Sequence, residues 1–220
     1  MATARVRFTA DDRRQQILEV ASGLFAGQGF NGTTTRHIAE AAGVNEALIF
    51  RHFPSKEELY WAVIEERCRV ATWRQDLEAR LLSGECDRDV FQGIAADILQ
   101  ARRKDSSLSR LLLFSALENH TLSERFFRTN VAQYYEVLAE YIARRIRQGA
   151  FRKVDPMLAA RGFLGMISYH FQIQELYGGK RYQNYDDAEV AAALTDRWLQ
   201  GMTNPATRAT IGGRKKRARK

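Results

Sequence analysis

Cysteine, proline and long apolar runs are all scarce in this sequence. Its two cysteines, Cys68 and Cys86, lie far apart, and neither has a Cys or His neighbour at metal-ligand spacing. That argues against a disulfide framework and a zinc site, and fits two reduced thiols packed in or near helices. The three prolines are Pro54, Pro156 and Pro205. Long stretches are therefore free to be helical, because proline inside a helix costs about 3 kcal/mol. The most apolar window, Phe163 to Ile173, is too short for a bilayer, which takes about 20 residues. Met1 to Ala10 has no apolar run and reads as no leader. A reduced, cytoplasmic setting with no membrane partner is the expectation. Four scattered histidines, His37, His52, His120 and His170, come with no phosphate loop, metal spacing or nucleophile motif. Neither an enzyme nor a bound metal or cofactor is expected.

What remains is a chain of 220 residues, 45% hydrophobic and 27% charged, long enough to bury a core. Its formal charge is +8. The seven residues Arg214 to Lys220 carry six basic groups, while the first sixty balance seven Lys plus Arg against seven Asp plus Glu. Net charge therefore does not locate a nucleic-acid surface; placement must. The segment 204–220 reads as a disordered basic tail, either a salt-sensitive DNA contact or a solubilising end. Arg5 and Arg7 are candidates for a minor-groove arm.

Asp11 and Asp12 open a helix whose apolar residues fall at Ile17, Leu18, Ala21, Leu24 and Phe25, stopped by Gly27 and Gly29. Asn31-Gly32 is a turn signal. Thr33 or Thr34 caps a short second helix, which carries Ile38, Ala39 and Ala42 and ends at Gly43. Asn45 caps a third, Glu46 to His52, closed by Phe53-Pro54. Ser55-Lys56-Glu57-Glu58 is a capping box that opens a fourth. Two short helices joined by a glycine turn form the helix-turn-helix pattern, which can enter a major groove. Thr34, Thr35 and Arg36 at one helix start, and Arg51, His52 and Lys56 beyond the next, suit phosphate clamping.

The residues from Ile17 to Tyr60 resemble the tetracycline-repressor (TetR) family of regulators. The match rests on Leu24-Phe25, Gly29-Phe30, Thr33-Thr34, Ile38-Ala39, Ala42-Gly43-Val44, Phe50-Arg51-His52-Phe53 and Pro54-Ser55-Lys56-Glu57-Glu58-Leu59. The resemblance implies that Thr35 and Arg36 contact backbone or base, and that Asn45, Glu46 and Ala47 meet base edges. It implies that Phe50 packs on the sugar-phosphate backbone beside His52, and that Lys56 pairs with a phosphate. Glu46 is unusual there: it either accepts from cytosine N4 or lies along the groove. The implied function is a sequence-specific regulator, a ligand-responsive repressor reading a palindromic DNA operator as a homodimer. Rival readings are an activator, or a helical adaptor that binds nucleic acid through its tail.

The fold expected is all-α, of about nine helices: a helix-turn-helix domain over 10–60, its motif at 33–53, then a helical ligand-binding and dimerisation domain over 61–203. Beyond the motif, helices are expected from Leu59 to Arg80, Asp87 to Arg103, Ser106 to Glu118, Ser123 to Gln148, Pro156 to Gly178 and Asp187 to about residue 202. Leu111 to Phe114 read as deeply buried. The last two helices carry small residues, Gly162 and Gly165 on one and Ala191 to Ala193 on the other, and are the expected dimer bundle. Aromatics suggest a pocket for an apolar or aromatic inducer, with Trp73, Phe91, Phe114, Asn130, Tyr134, Phe163 and His170 as candidate lining residues, and Gln172 as a further polar one.

Overall fold

The computed structural model describes residues 9–70, 73–118 and 121–204, and within them every side chain but those at 69, 70, 73, 74, 122 and 130. The helices are α1 Ala10–Gln28, α2 Thr35–Ala42, α3 Glu46–His52, α4 Lys56–Val70, α5 Trp73–Leu81, α6 Asp87–Lys104, α7 Ser107–Leu117, α8 Thr121–Phe126, α9 Ala132–Arg147, α10 Pro156–Phe171 and α11 Asp187–Met202. Among the described residues there is no β-strand. The expected helix over Leu59 to Arg80 is described as α4 and α5, with residues 71–72 between them outside the described residues. Ser123 to Gln148 falls into α8 and α9 around a π-helical turn, Phe127–Val131. A second π turn, Gln172–Leu176, follows α10.

The chain divides into two compact units: Met1–Thr72 with Ser106–Phe127, and Trp73–Asp105 with Arg128–Lys220. The first is larger than the helix-turn-helix segment, because α4 and α7 pack with α1. Its core is Ile17, Leu18, Ala21 and Phe25 of α1, Ile38 of α2, Ile49 of α3, Leu59, Tyr60 and Ile64 of α4, and Leu111 of α7. The Tyr60 ring stands edge-on to Phe25 at 4.8 Å and to Phe30 at 5.3 Å. Its hydroxyl donates to the Leu111 carbonyl at 2.6 Å, so the polar tip of a buried ring is satisfied.

Leu111 to Phe114 do not share one fate. Only Leu111 is sealed; Leu112, Leu113 and Phe114 are half-buried. Four consecutive helical residues span a full turn, so a helix docked by one face cannot bury all of them.

The second unit is organised around aromatic rings. Phe91 lies 4.3 Å from Trp198, 5.0 Å from Phe163, 5.8 Å from Tyr141 and 6.2 Å from Phe151, centroid to centroid. An ion-pair cluster sits at its edge: Asp87 accepts from Arg145 Nε and Nη2, both at 2.7 Å, and from the Tyr141 hydroxyl at 2.7 Å. Burial, with that bond to Asp87, pushes the Tyr141 hydroxyl above its ordinary value. The α9–α10 turn is stitched to the end of α11: Arg152 N–H donates to Met202 O at 2.8 Å and Asn204 N–H to Ala150 O at 3.1 Å.

Both cysteines are free thiols, Cys68 half-buried and Cys86 exposed. Burial, with Glu65 nearby, pushes the Cys68 thiol up to about 11. Its thiolate fraction at neutral pH is then roughly a hundredfold below that of an unperturbed thiol. Alkylation with iodoacetamide followed by peptide mass spectrometry should modify Cys86 first. Equal or faster modification of Cys68 would contradict this placement.

Candidate nucleic-acid interface

The helix-turn-helix is built by local chemistry at both ends of each short helix. Thr34 is the N-cap of α2; its Oγ1 accepts from His37 N–H at 3.1 Å. Gly43 ends α2 in the left-handed region, φ +64°, where a residue with a Cβ is strained. Gly43 N–H donates to Glu40 O and Val44 N–H to Ala39 O at 3.0 Å, closing a Schellman turn. The α1 residue Gln16 donates Nε2 to the Ala42 carbonyl at 2.9 Å, satisfying one more helix-end acceptor. Asn45 then caps α3, its Oδ1 accepting from Leu48 N–H at 2.8 Å. At α4, Glu58 N–H donates to Ser55 Oγ at 3.1 Å, the Ser55 half of the expected box. Gly27 lies inside α1, and Gly29 alone stops it.

These caps leave useful chemistry unspent. Asn45 uses only its oxygen, so its two Nδ2 hydrogens remain as donors; Thr34 likewise keeps its hydroxyl hydrogen. Ile49 is the fully buried residue of α3, while Asn45, Ala47, Phe50 and Arg51 are exposed. Phe50 is 46% exposed. His52 is half-buried, and its Nε2 is enclosed without a partner among the described residues.

Three candidates already have partners within the chain. Thr35 Oγ1 donates to Glu46 Oε1 at 2.5 Å, tying the start of α2 to the start of α3. Arg36 pairs with Glu40 at 3.0 Å on the exposed surface of α2, a contact weak enough to exchange for a phosphate. Lys56 Nζ donates to Phe30 O at 3.0 Å and Thr33 O at 3.1 Å, and lies 4.0 Å from the Phe30 ring centroid.

The opposite side of that turn is held by α7. Glu118 accepts from Phe30 N–H at 3.1 Å and from Asn31 N–H at 3.2 Å. Gly29, at φ +75°, gives this carboxylate room: a Cβ there would lie 2.5 Å from Glu118 Oε1 and 2.9 Å from Phe114 Cδ1. Arg110 Nε also donates to the Ala26 carbonyl at 2.6 Å. Sequence reading missed Glu118, because no spacing links residue 118 to a turn at 30.

The described members of the expected pocket differ in exposure. Phe91 and Phe163 are fully buried and packed against Trp198, so they are core and not lining; the physical reason is the close ring packing around them. Phe114 belongs to the first unit, while Tyr134 and His170 are half-buried in the second. His170 stands 5.9 Å from the Tyr185 ring, and burial pushes it below its ordinary value. The side chains of Trp73 and Asn130 lie outside the described residues, as do the basic tail and Arg5 and Arg7. A cleft of about 690 Å³ does open between α5 and α6, and charged side chains, Arg80, Asp97 and Lys104 among them, line it.

Residues 17–63 match the family described as bacterial regulatory proteins, tetR family. Residues 93–200 match the AefR-like transcriptional repressor C-terminal domain. The nucleoid occlusion factor SlmA of Haemophilus influenzae is 30% identical over 169 residues, covering 74% of this chain and 75% of that protein. The chain belongs to the TetR family. It is a DNA-binding transcriptional regulator with an N-terminal helix-turn-helix and a helical C-terminal domain. Solved TetR-fold structures agree. NalD, the secondary repressor of the MexAB-OprM multidrug efflux pump in Pseudomonas aeruginosa, superposes with a TM-score of 0.69 at 20% identity, covering 89% of this chain and 98% of that one. AibR, solved in complex with isovaleryl coenzyme A and operator DNA, gives 0.64 at 21% identity, covering 83% and 96%. At these identities the likeness concerns the fold. Among the described residues, no helix of this TetR regulator is long and apolar enough to cross a membrane.

Proposed function

We propose that this TetR-family regulator is a homodimeric, cytoplasmic repressor that reads a palindromic operator with α3 and releases it when a small apolar or aromatic molecule binds its second unit. The observation that carries the reading is α3 itself. Seven residues long and capped at its start by Asn45, it buries Ile49 inward and leaves Asn45, Ala47, Phe50 and Arg51 outward. Asn45 Nδ2 and the Ala47 methyl suit base edges. Phe50 suits the sugar-phosphate backbone, and Thr34, Arg36, Arg51 and His52 suit phosphates. Glu46, engaged by Thr35, acts first by fixing α3 against α2; its second oxygen is left for a base. Repression is supported by the match to a repressor C-terminal domain, and ligand response by the small molecule bound to AibR.

Dimerisation through α10 and α11 is supported by what they leave uncovered. On α10, Leu158 and Tyr169 are 70% and 62% exposed, and Gly162 and Gly165 lie between them on the same helical face with nothing within 4 Å of an added Cβ. On α11, Ala191 is fully buried in its own subunit and Ala193 is exposed. An apolar stripe interrupted by glycines lets a second helix approach closely.

Selection from random duplexes tests the reading. The expected winner is a palindrome with half-sites about 34 Å apart, and Asn45→Ala should relax preference within each half-site. A protein that favours no duplex over bulk genomic fragments at moderate salt would sink it.

A further inference from the structure

We propose that Arg102, in the last turn of α6, anchors the carboxylate of an apolar organic acid that binds among α6, α9 and α10. The inference rests on the ligand-responsive reading above and narrows its ligand to one chemical class.

The two exposed arginines of α6 have found acids. The exposed Arg88 pairs with Asp196 at 2.8 Å and the exposed Arg103 with Asp187 at 2.7 Å. Arg102, next along the helix, is more buried than either, yet has no carboxylate and no hydrogen-bond partner among the described residues. Its guanidinium carbon lies 5.5 Å from the centroid of the Phe171 ring of α10. The half-buried Tyr134 and Tyr135 of α9 are the ionisable groups facing it, and both pack against the aromatic core. Burial pushes the guanidinium below its ordinary value, but arginine stays protonated in proteins. The site therefore holds a permanent cation, partly withdrawn from water and stacked on a ring, with its N–H donors unspent.

Withdrawing a charge from water without a partner is unfavourable, and such groups cluster at functional sites. A guanidinium fork fits a carboxylate through two parallel bonds, and the half-buried Tyr134 and Leu176, packed against the same aromatic cluster as Phe171, offer apolar surface for the rest of a ligand. A second open polar group lies close in the chain. Gln174, in the π turn that begins straight after Phe171, is only 9% exposed, and its Oε1, an acceptor suited to a donor group on the ligand and not to the carboxylate, has no partner among the described residues. The bland alternative is an arginine that lays its stem on a ring and leaves its head in water; that arrangement confers no preference for anions.

The test uses the full chain and a series of straight-chain carboxylates from hexanoate to dodecanoate, each matched with the primary alcohol of equal length. Binding is followed by calorimetry, and operator release by gel retardation. The wild type should bind at least one carboxylate tenfold or more (about one charge-assisted bond) over its alcohol. Arg102→Gln should abolish that ratio while keeping alcohol and operator affinity, and Arg102→Lys should restore part of it. Equal affinity for acid and alcohol, a ratio that survives Arg102→Gln, or no carboxylate bound at all would overturn the inference. The two readings fail separately: alcohols that release the operator without acid preference leave ligand response standing, whereas Arg102-dependent acid binding that never releases operator leaves only this inference standing.

Discussion

Phe91→Ala is expected to destabilise the second unit by about 3–5 kcal/mol, the range for removing a fully buried phenylalanine. Its ring has no solvent exposure and touches four other aromatic side chains, from α9, α10 and α11 and from the turn at Phe151. The surrounding rings are large and fixed by one another, so the site cannot easily collapse into the space left behind. A loss of that size is a large share of the roughly 5–15 kcal/mol that holds a typical domain together. Urea unfolding at matched protein concentration would read it directly. The sequence-based alternative, that Phe91 lines an inducer pocket, gives the opposite pattern: a cost below about 1 kcal/mol with altered ligand affinity. Phe163→Ala, in the same cluster and equally buried, should behave like Phe91→Ala.

The contrast between Phe91 and α3 shows what a sequence can disclose. Caps act within three or four residues, so Asn45 was readable from spacing alone and Thr34 as one of two candidates with Thr33, and each accepts a backbone N–H three residues on. Gly43 was readable for the same reason. Helix continuity was less so: nothing in the residues around Phe127 or Gln172 announces a π turn, because one extra residue per turn depends on packing. Whether an aromatic residue is core or lining depends on what stands opposite it, and Trp198 lies more than a hundred residues from Phe91. Arg102 was invisible in another way. A base in the last turn of a helix reads as a favourable dipole partner, and its burial against the Phe171 ring, with no carboxylate beside it among the described residues, sets it apart from Arg103. Long-range polar contacts such as Phe30 with Glu118 leave no periodic trace.

That last contact leads to the sharpest expectation for DNA binding. The turn from Gly29 to Thr34 sets where α2 begins, and it is gripped by charges of opposite sign. Glu118 takes the N–H groups of Phe30 and Asn31, while Lys56 gives hydrogens to the carbonyls of Phe30 and Thr33. Thr33 adds a bond from its hydroxyl to Gly29 O at 2.9 Å. Hydrogen bonds to charged groups are worth about 1.5–3 kcal/mol each. Loosening the turn should shift α2, and with it α3 through the Thr35–Glu46 bond, so operator affinity should fall about tenfold or more in Glu118→Gln. The direction is what makes the test informative. Removing an acid from a DNA-binding protein adds positive charge, and by electrostatics alone it strengthens binding to every sequence. A weaker operator complex can therefore come only from lost positioning. Lys56→Met separates the same two effects from the other side: a lost phosphate partner lowers the salt slope by about one, whereas a lost clasp lowers affinity with the slope unchanged. Fluorescence anisotropy across a salt series, with operator and with unrelated duplex, reads both variants. Tighter operator binding by Glu118→Gln would show that the turn holds its shape without α7.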